Sequence, residues 1–264
     1  MTLIMPTRQI SYPLDRFVTD ASAFFFACLL GLIVLFTTDV AQSAPAKYPD
    51  ALVADGFYRT VFGSEIRALS WGSQTNRVKK YVTPIKIWID NRSRINRKAL
   101  VRRFVSSLPL YIPALQLSLV RNRKDANFRI FIVDREDYAS TVRREIFRNN
   151  SIDVPGQCIV RVLSRRSGIL GSDAVLVANQ GKNLFRRCMV EEILQGLGPV
   201  NDDDSLMYSV FNDRSRFDHF TRFDRLILNM LYNKRVKPGM TRRQVEPITM
   251  DILRDAKAIV SRRP

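Results

Sequence analysis

Apolar residues alternate with polar ones, or recur at helical spacing, along most of the chain after residue 85. Strict alternation predicts strands at 85–89 and 115–119. The nearly continuous apolar run at 128–133 predicts a strand that is buried on both faces. Two further strands are predicted at 158–163 and 174–178, joined by a loop rich in serine, arginine and glycine.

Helical spacing predicts the remaining elements. Apolar residues at 101–108 indicate a helix that Pro109 ends, because proline cannot continue a helix. A short charged helix is predicted at 135–148. An amphipathic helix follows at 188–197, after the last strand. The order strand, helix, strand, strand, helix, strand, strand, helix predicts an α+β fold with a mixed sheet of about five strands.

The C-terminal part reads as a smaller helical region. Thr221 and Asp224 open a helix, because the hydroxyl caps free N–H groups and the carboxylate suits the positive helix end. A turn at 237–240 ends that helix. Thr241 and Gln244 form a second capping pattern, which predicts a basic helical tail over 241–264.

The N-terminal segment indicates export. Residues 21–38 are apolar or small apart from three hydroxyl residues, two arginines precede them, and small residues at 41–46 fit a signal-peptidase site. The run is also nearly long enough to span a bilayer as an uncleaved anchor. Either alternative places residues 47–264 outside the cytoplasm, in the periplasm or tethered to the membrane facing it.

Four regions follow from these patterns. Residues 1–46 are the signal peptide or anchor, and residues 47–84 are an N-terminal extension that packs on the main domain. Residues 85–240 form that domain, and the basic tail follows. Because the compartment is oxidising, Cys158 and Cys188 are expected to form one disulfide, although two buried free thiols are the alternative.

Charge is distributed unevenly. Residues 1–46 hold two basic and three acidic residues, so 47–264 carry 40 basic and 22 acidic ones, a net charge of +18. This excess favours an anionic membrane surface or acidic glycan as partner, with a solvated basic face as the alternative. Nucleic acid is not expected in that compartment. The segment 191–224 instead holds eight acids and three arginines, which indicates either a cation site or partners for the chain's own arginines.

The helix at 188–197 carries the candidate chemistry. Glu191 and Gln195 are four residues apart and share one helical face, so both could reach one ion. Gly198 allows a sharp turn that returns Asn201 or Asp202 as further ligands. All four are oxygen ligands, which suit calcium, magnesium or manganese better than zinc. A structural pairing of Glu191 with an arginine one turn earlier is the alternative.

The same spacing resembles the H-E-x-x-H-x-x-G-x-x-H helix of metzincin zinc peptidases, with the three histidines replaced by Glu191, Gln195 and Asn201. That resemblance implies a zincin-like sheet backed by an active-site-type helix, and it would make Glu192 the catalytic general base. Phe211 would stand where matrixin-like enzymes have the methionine of their turn beneath the metal. Gly198, Asn212 and Asp213 would support the site with it.

The segment 188–240 also resembles an uncharacterised family of exported bacterial domains of unknown function. The matching residues are Cys188, Glu191, Glu192, Gln195, Leu197, Gly198, Asn201, Asp202, Ser209, Phe211, Asn212, Asp213, Thr221, Asp224, Leu231, Tyr232, Pro238, Gly239 and Met240. No activity is carried over from that family.

Three functions are compatible with these features. The first is an exported metzincin-like domain that has lost zinc catalysis and serves as a binding or structural module of the cell envelope. The second is an active hydrolase of peptide or peptidoglycan, with Glu192 as base and an oxygen-ligated divalent cation. The third is a basic binder of anionic lipid or glycan that acts independently of the helix.

Overall fold

The computed structural model describes residues 48–62, 76–154 and 156–262, and a five-stranded mixed sheet lies at its centre. The strands are β1 (Ile85–Asn91), β2 (Leu117–Leu119), β3 (Phe128–Val133), β4 (Cys158–Arg165) and β5 (Gly168–Val177), in the order β2-β1-β3-β5-β4. Four strands are parallel, and the edge strand β4 runs antiparallel to β5. The number of strands and the mixed sheet are as predicted.

Helices cover both faces of the sheet and form a C-terminal group. They are α1 (Asp50–Val61), α2 (Lys98–Tyr111), α3 (Arg135–Thr141, continued by a π-helical turn to Phe147), α4 (Lys182–Gln195), α5 (Arg222–Leu231), the short α6 (Arg242–Val245) and α7 (Thr249–Ser261). The apolar face of α5 packs against α7 and α1. The predicted C-terminal helical part is therefore confirmed.

Strand β3 explains why the fold has two apolar layers. Ile130 and Ile132 face the larger core with α4, whereas Phe131 and Val133 face a smaller core with α3. All four side chains are buried. Because successive side chains of a strand point to opposite faces, the continuous apolar run predicted this double burial correctly.

Several boundaries differ from the predicted ones. The helix α2 does not stop at Pro109 but continues to Tyr111. A proline in the last turn removes only one hydrogen bond, and the N–H of Ile112 still reaches the carbonyl of Leu108 at 2.8 Å. The strand predicted from residue 115 begins at Leu117, because the N–H of Leu115 bonds to the carbonyl of Ile112 in a turn.

The N-terminal extension contains an element that the sequence pattern did not predict. Residues 50–61 form α1, which packs against α5 and α7 with Val53, Phe57 and Val61 buried. Aromatic and polar residues are mixed in this stretch, which obscured its helical period. The predicted packing of the extension on the main domain is confirmed for this helix.

Two local predictions are confirmed by hydrogen bonds. The Thr221 hydroxyl accepts a bond from the N–H of Asp224 at the start of α5. Thr241 and Gln244 form the predicted capping box before the tail helices.

Within the described ranges, no helix is both long and apolar enough to cross a membrane. The predicted signal or anchor at 1–46 lies outside those ranges.

Candidate functional site

Helix α4 is held against the sheet by buried side chains and by a disulfide. Met189, Val190, Ile193 and Leu194 are buried in the larger core. A disulfide joins Cys188 to Cys158 at the start of β4, with 5.8 Å between the two Cα atoms. The predicted disulfide is therefore confirmed, and the alternative of two free thiols is wrong. Glu191 lies one turn after this bond, so its position is firmly held.

Helix α4 ends at Gln195, and Gly196 and Gly198 follow it. The N–H of Gly196 bonds to the carbonyl of Glu192, and the N–H of Gly198 bonds to the carbonyl of Gln195. Gly198 has a φ of 135°, and a Cβ added there would lie 2.1 Å from the carbonyl oxygen of Lys79. Only glycine can adopt this conformation at such a close approach. The predicted sharp turn therefore redirects the chain out of α4.

The segment after the turn folds back on itself. The N–H of Asp203 donates to the carbonyl of Phe211 at 3.0 Å. The buried Asn212 donates its side-chain amide to the carbonyls of Asp204 and Leu206 at 3.1 and 3.2 Å. Phe211 itself is fully buried. These contacts place residue 213 beside residue 202, although the two are far apart along the chain.

Three carboxylates converge at this point. Glu191, Asp202 and Asp213 each present an oxygen, and the three oxygens lie within 4.8 Å of one another. Glu191 and Asp202 are half-buried, and Asp213 is exposed. Among the residues that the structure describes, this is the one group of three or more acidic, cysteine or histidine side chains close enough to hold a metal ion. Hard divalent cations use such carboxylate oxygens as ligands.

The two predicted amide ligands have different positions. The side-chain nitrogen of Gln195 is 2.8 Å from both oxygens of Asp202, so this buried amide orients the carboxylate. The side-chain nitrogen of Asn201 instead donates to the carbonyl of Arg59 at the end of α1. The structure thus brings Glu191, Gln195 and Asp202 together, while the amide nitrogen of Asn201 is directed to α1.

Glu192, the predicted general base, is buried with 6% of its surface exposed. Burial, followed by the negative charge of Glu192, raises the pKa of Tyr138 above its usual value. Tyr138 belongs to α3 and is itself buried. Glu192 is therefore close enough to that phenol to affect its ionisation, and it differs in exposure from its neighbour Glu191.

The arginine-pairing interpretation of the acidic segment is confirmed for three aspartates, whereas the cation-site interpretation stays a prediction. Asp203, Asp204 and Asp218 form ion pairs with arginines, namely Arg59, Arg214 and Arg186. The carboxylates of the cluster are instead close to one another. Since Asp213 was predicted only as part of a supporting turn, its place in the cluster was missed. The reversal of charge over 191–224 was the signal that could have identified it.

A second acidic position, Asp224, is fully buried. Its carboxylate accepts hydrogen bonds from the hydroxyls of Ser209 and Thr221 at 2.5 and 2.6 Å and from the N–H of Val210 at 3.2 Å. Burial raises the pKa of Asp224 to about 6, although these hydrogen bonds oppose the shift. This network joins α5 to the loop that carries Phe211 and Asp213.

His219, the one histidine of the chain, is exposed and lies beside Asp218. It therefore adds no ligand to the three-carboxylate cluster. The atoms that the cluster presents are all carboxylate oxygens, which suit calcium, magnesium or manganese better than zinc.

The comparisons with known proteins give a family and no assigned activity. A family model described as "Protein of unknown function (DUF2927)" matches residues 50–251. No curated protein matches the sequence. The match begins at the first residue of α1 and ends within α7, so it includes the sheet, α4 and the acidic segment.

Proposed function

The chain belongs to the DUF2927 family of proteins of unknown function, and we propose that it is an exported domain that holds a hard divalent cation. Glu191, Asp202 and Asp213 would be the ligands, and calcium, magnesium or manganese would be the ion. The domain would then serve as a binding or structural module of the cell envelope. The observation that carries this proposal is the approach of the three carboxylate oxygens to within 4.8 Å.

Electrostatics supports an external cation. Two unit charges about 4 Å apart interact by about 1 kcal/mol in water and by about 4 kcal/mol near a protein surface. Three carboxylates gathered together therefore repel one another, and an added positive charge lowers that repulsion. A divalent ion does so and uses oxygen ligands. The amide of Gln195 supports the same role, because it fixes the orientation of Asp202.

The arrangement around α4 supports a zincin-like origin. The helix carries Glu191 and Gln195 at the spacing of two metal ligands, turns sharply at Gly198, and is followed by a returning ligand, Asp202. A mixed five-stranded sheet lies against it. The lack of histidine at the ligand positions favours a module that has lost zinc catalysis over a zinc peptidase.

Elemental analysis of the purified protein tests the proposal. We expect about one calcium, magnesium or manganese ion per chain and no stoichiometric zinc. The double variant Glu191→Gln/Asp213→Asn should lose the ion. Asp204→Asn is the matched control, because Asp204 lies in the same loop and pairs with Arg214 outside the cluster. Wild-type protein without a divalent ion, and with a melting temperature unaffected by calcium, would reject the proposal.

A hydrolase is the second candidate, favoured by the buried Glu192 beside Glu191 on α4. Its substrate would be peptide or peptidoglycan, with Glu192 as general base. Calcium-loaded protein should then release soluble fragments from peptidoglycan or cleave unfolded peptides. Glu192→Gln should keep the melting temperature and the bound ion but abolish cleavage. No cleavage by the loaded wild type would leave only the binding module.

A further inference from the structure

A cavity of about 260 Å³ lies between the segments 80–85, 114–116 and 232–238. It shares no residue with the carboxylate cluster. Three lysines contribute to its lining, Lys80, Lys234 and Lys237. Its apolar lining includes Val82, Leu115 and Val236. Among the residues that the structure describes, no aspartate or glutamate lines it.

Lys80 is buried at the end of α5. Its ammonium donates to the carbonyls of Leu231, Asn233 and Val236 at 2.8, 3.2 and 3.1 Å. Carbonyls at the end of a helix are free of intrahelical partners and carry partial negative charge, so they suit a cation. Lys80 therefore caps the helix and places a positive charge in the cavity wall.

The other two lysines have no such compensation. Lys234 and Lys237 are exposed, and neither has a carboxylate within salt-bridge distance in the part of the chain that the structure describes. Burial, followed by repulsion from Lys237, lowers the pKa of Lys80 to about 8. The cavity thus gathers like charges without a counter-ion from its own lining, and a small anion would relieve that repulsion.

Apolar surface adjoins these charges. Val82 is 60% exposed at the cavity. Its side chain lies beside Gly168, where an added Cβ would be 3.3 Å from the valine methyl group. Gly168 begins β5 in the hairpin with β4, and this hairpin also carries the exposed Leu163 and Leu170. A ligand with both a charged and an apolar part matches this combination.

We propose that this cavity binds a phosphate group that carries an apolar substituent. Lys234 and Lys237 would supply the charged contacts, since lysine binds phosphate as a point charge. Val82 and Leu115 would contact the substituent. A phospholipid headgroup and a free phosphate share the charged part of this chemistry, and the apolar wall favours the headgroup. This inference does not depend on the cation site.

Calorimetric titration of the purified full chain tests the cavity with two probes, inorganic phosphate and dihexanoyl phosphatidylglycerol below its micelle concentration. Lys234→Gln/Lys237→Gln should weaken lipid binding by about tenfold or more. The matched control is Lys98→Gln/Lys124→Gln, which removes two exposed lysines outside the cavity and should bind as wild type does.

A second variant distinguishes binding inside the cavity from attraction to the overall positive charge of the chain. Ala114→Trp fills the cavity at an exposed position of its lining and leaves the charge unchanged, so it should also abolish lipid binding while the melting temperature stays the same. Tighter binding of the lipid than of phosphate supports a headgroup, whereas equal binding would reject the contact with an apolar substituent. The proposal is overturned if neither probe binds wild type, if the control loses as much as the cavity variant, or if Ala114→Trp binds normally.

Discussion

Two carboxylate sites in one acidic segment are constructed in opposite ways. Asp224 is fully buried, and the chain itself supplies its donors from Ser209, Thr221 and Val210. Glu191 and the other members of the three-carboxylate cluster instead approach one another at the surface. The first site is complete without a ligand, whereas the second gathers like charges. The nature of the neighbours, rather than the number of acids, therefore distinguishes a structural carboxylate from a candidate ligand.

The largest effect on stability is expected at the buried Asp224 site. Asp224→Ala removes the acceptor of three buried donors, and leaving them unpaired should lower the free energy of unfolding by about 4 kcal/mol. Urea denaturation measures this change. Asp204→Ala, at an exposed ion pair, should change stability by less than about 1 kcal/mol. A similar small loss for Asp224→Ala would mean that the buried network contributes little to the fold.

The next largest effect is expected from removing the disulfide, which should affect the two carboxylate sites differently. Cys158→Ser/Cys188→Ser opens a loop of 30 residues and should lower the free energy of unfolding by about 3–4 kcal/mol. Because Cys188 lies one turn before Glu191, the variant should also weaken calcium binding while the network around Asp224 persists. Chemical denaturation and calcium titration give the two readouts. Unchanged calcium affinity would show that the cluster does not depend on this anchor.

Much of the framework could be predicted from local patterns, because strand alternation and helix caps depend on neighbouring residues. The double burial of β3 and the cap at Thr221 were predicted in this way, whereas the Cys158–Cys188 bond was predicted from the expected oxidising compartment. Helix α1 was not, because its mixed aromatic and polar residues hide the apolar face that meets α5 and α7.

The candidate site was harder to predict than the framework. The spacing of Glu191 and Gln195 gave one face of a helix, but the remaining geometry depends on a long loop. Backbone and side-chain bonds around Asn212 decide that Asp213 reaches the cluster. The bond from Asn201 to α1 likewise joins residues distant in sequence. No local pattern encodes such contacts.

The pH dependence of stability, compared with that of an Asp224 variant, should isolate the titration of Asp224. Its folded pKa of about 6 is raised from 3.8, so its stabilising contribution is greatest below about pH 4 and is lost as the pH rises through 6. The difference corresponds to about 3 kcal/mol. Relative to Asp224→Asn, the wild type in chelator should therefore gain stability as the pH falls from 7 to 4. Parallel pH profiles for the two proteins would contradict the raised pKa.

The smallest effect tests the cluster most directly. Asp213→Asn removes one of three like charges, so in chelator it should raise the free energy of unfolding by about 1 kcal/mol. Calcium at about 100 times its dissociation constant should stabilise the wild type by about 2.7 kcal/mol and the variant far less. The decisive measurement is urea denaturation of both proteins with and without calcium. We predict that the variant is the more stable protein in chelator and the less stable one in calcium; the same order of stability in both conditions would contradict a cation site at Glu191, Asp202 and Asp213.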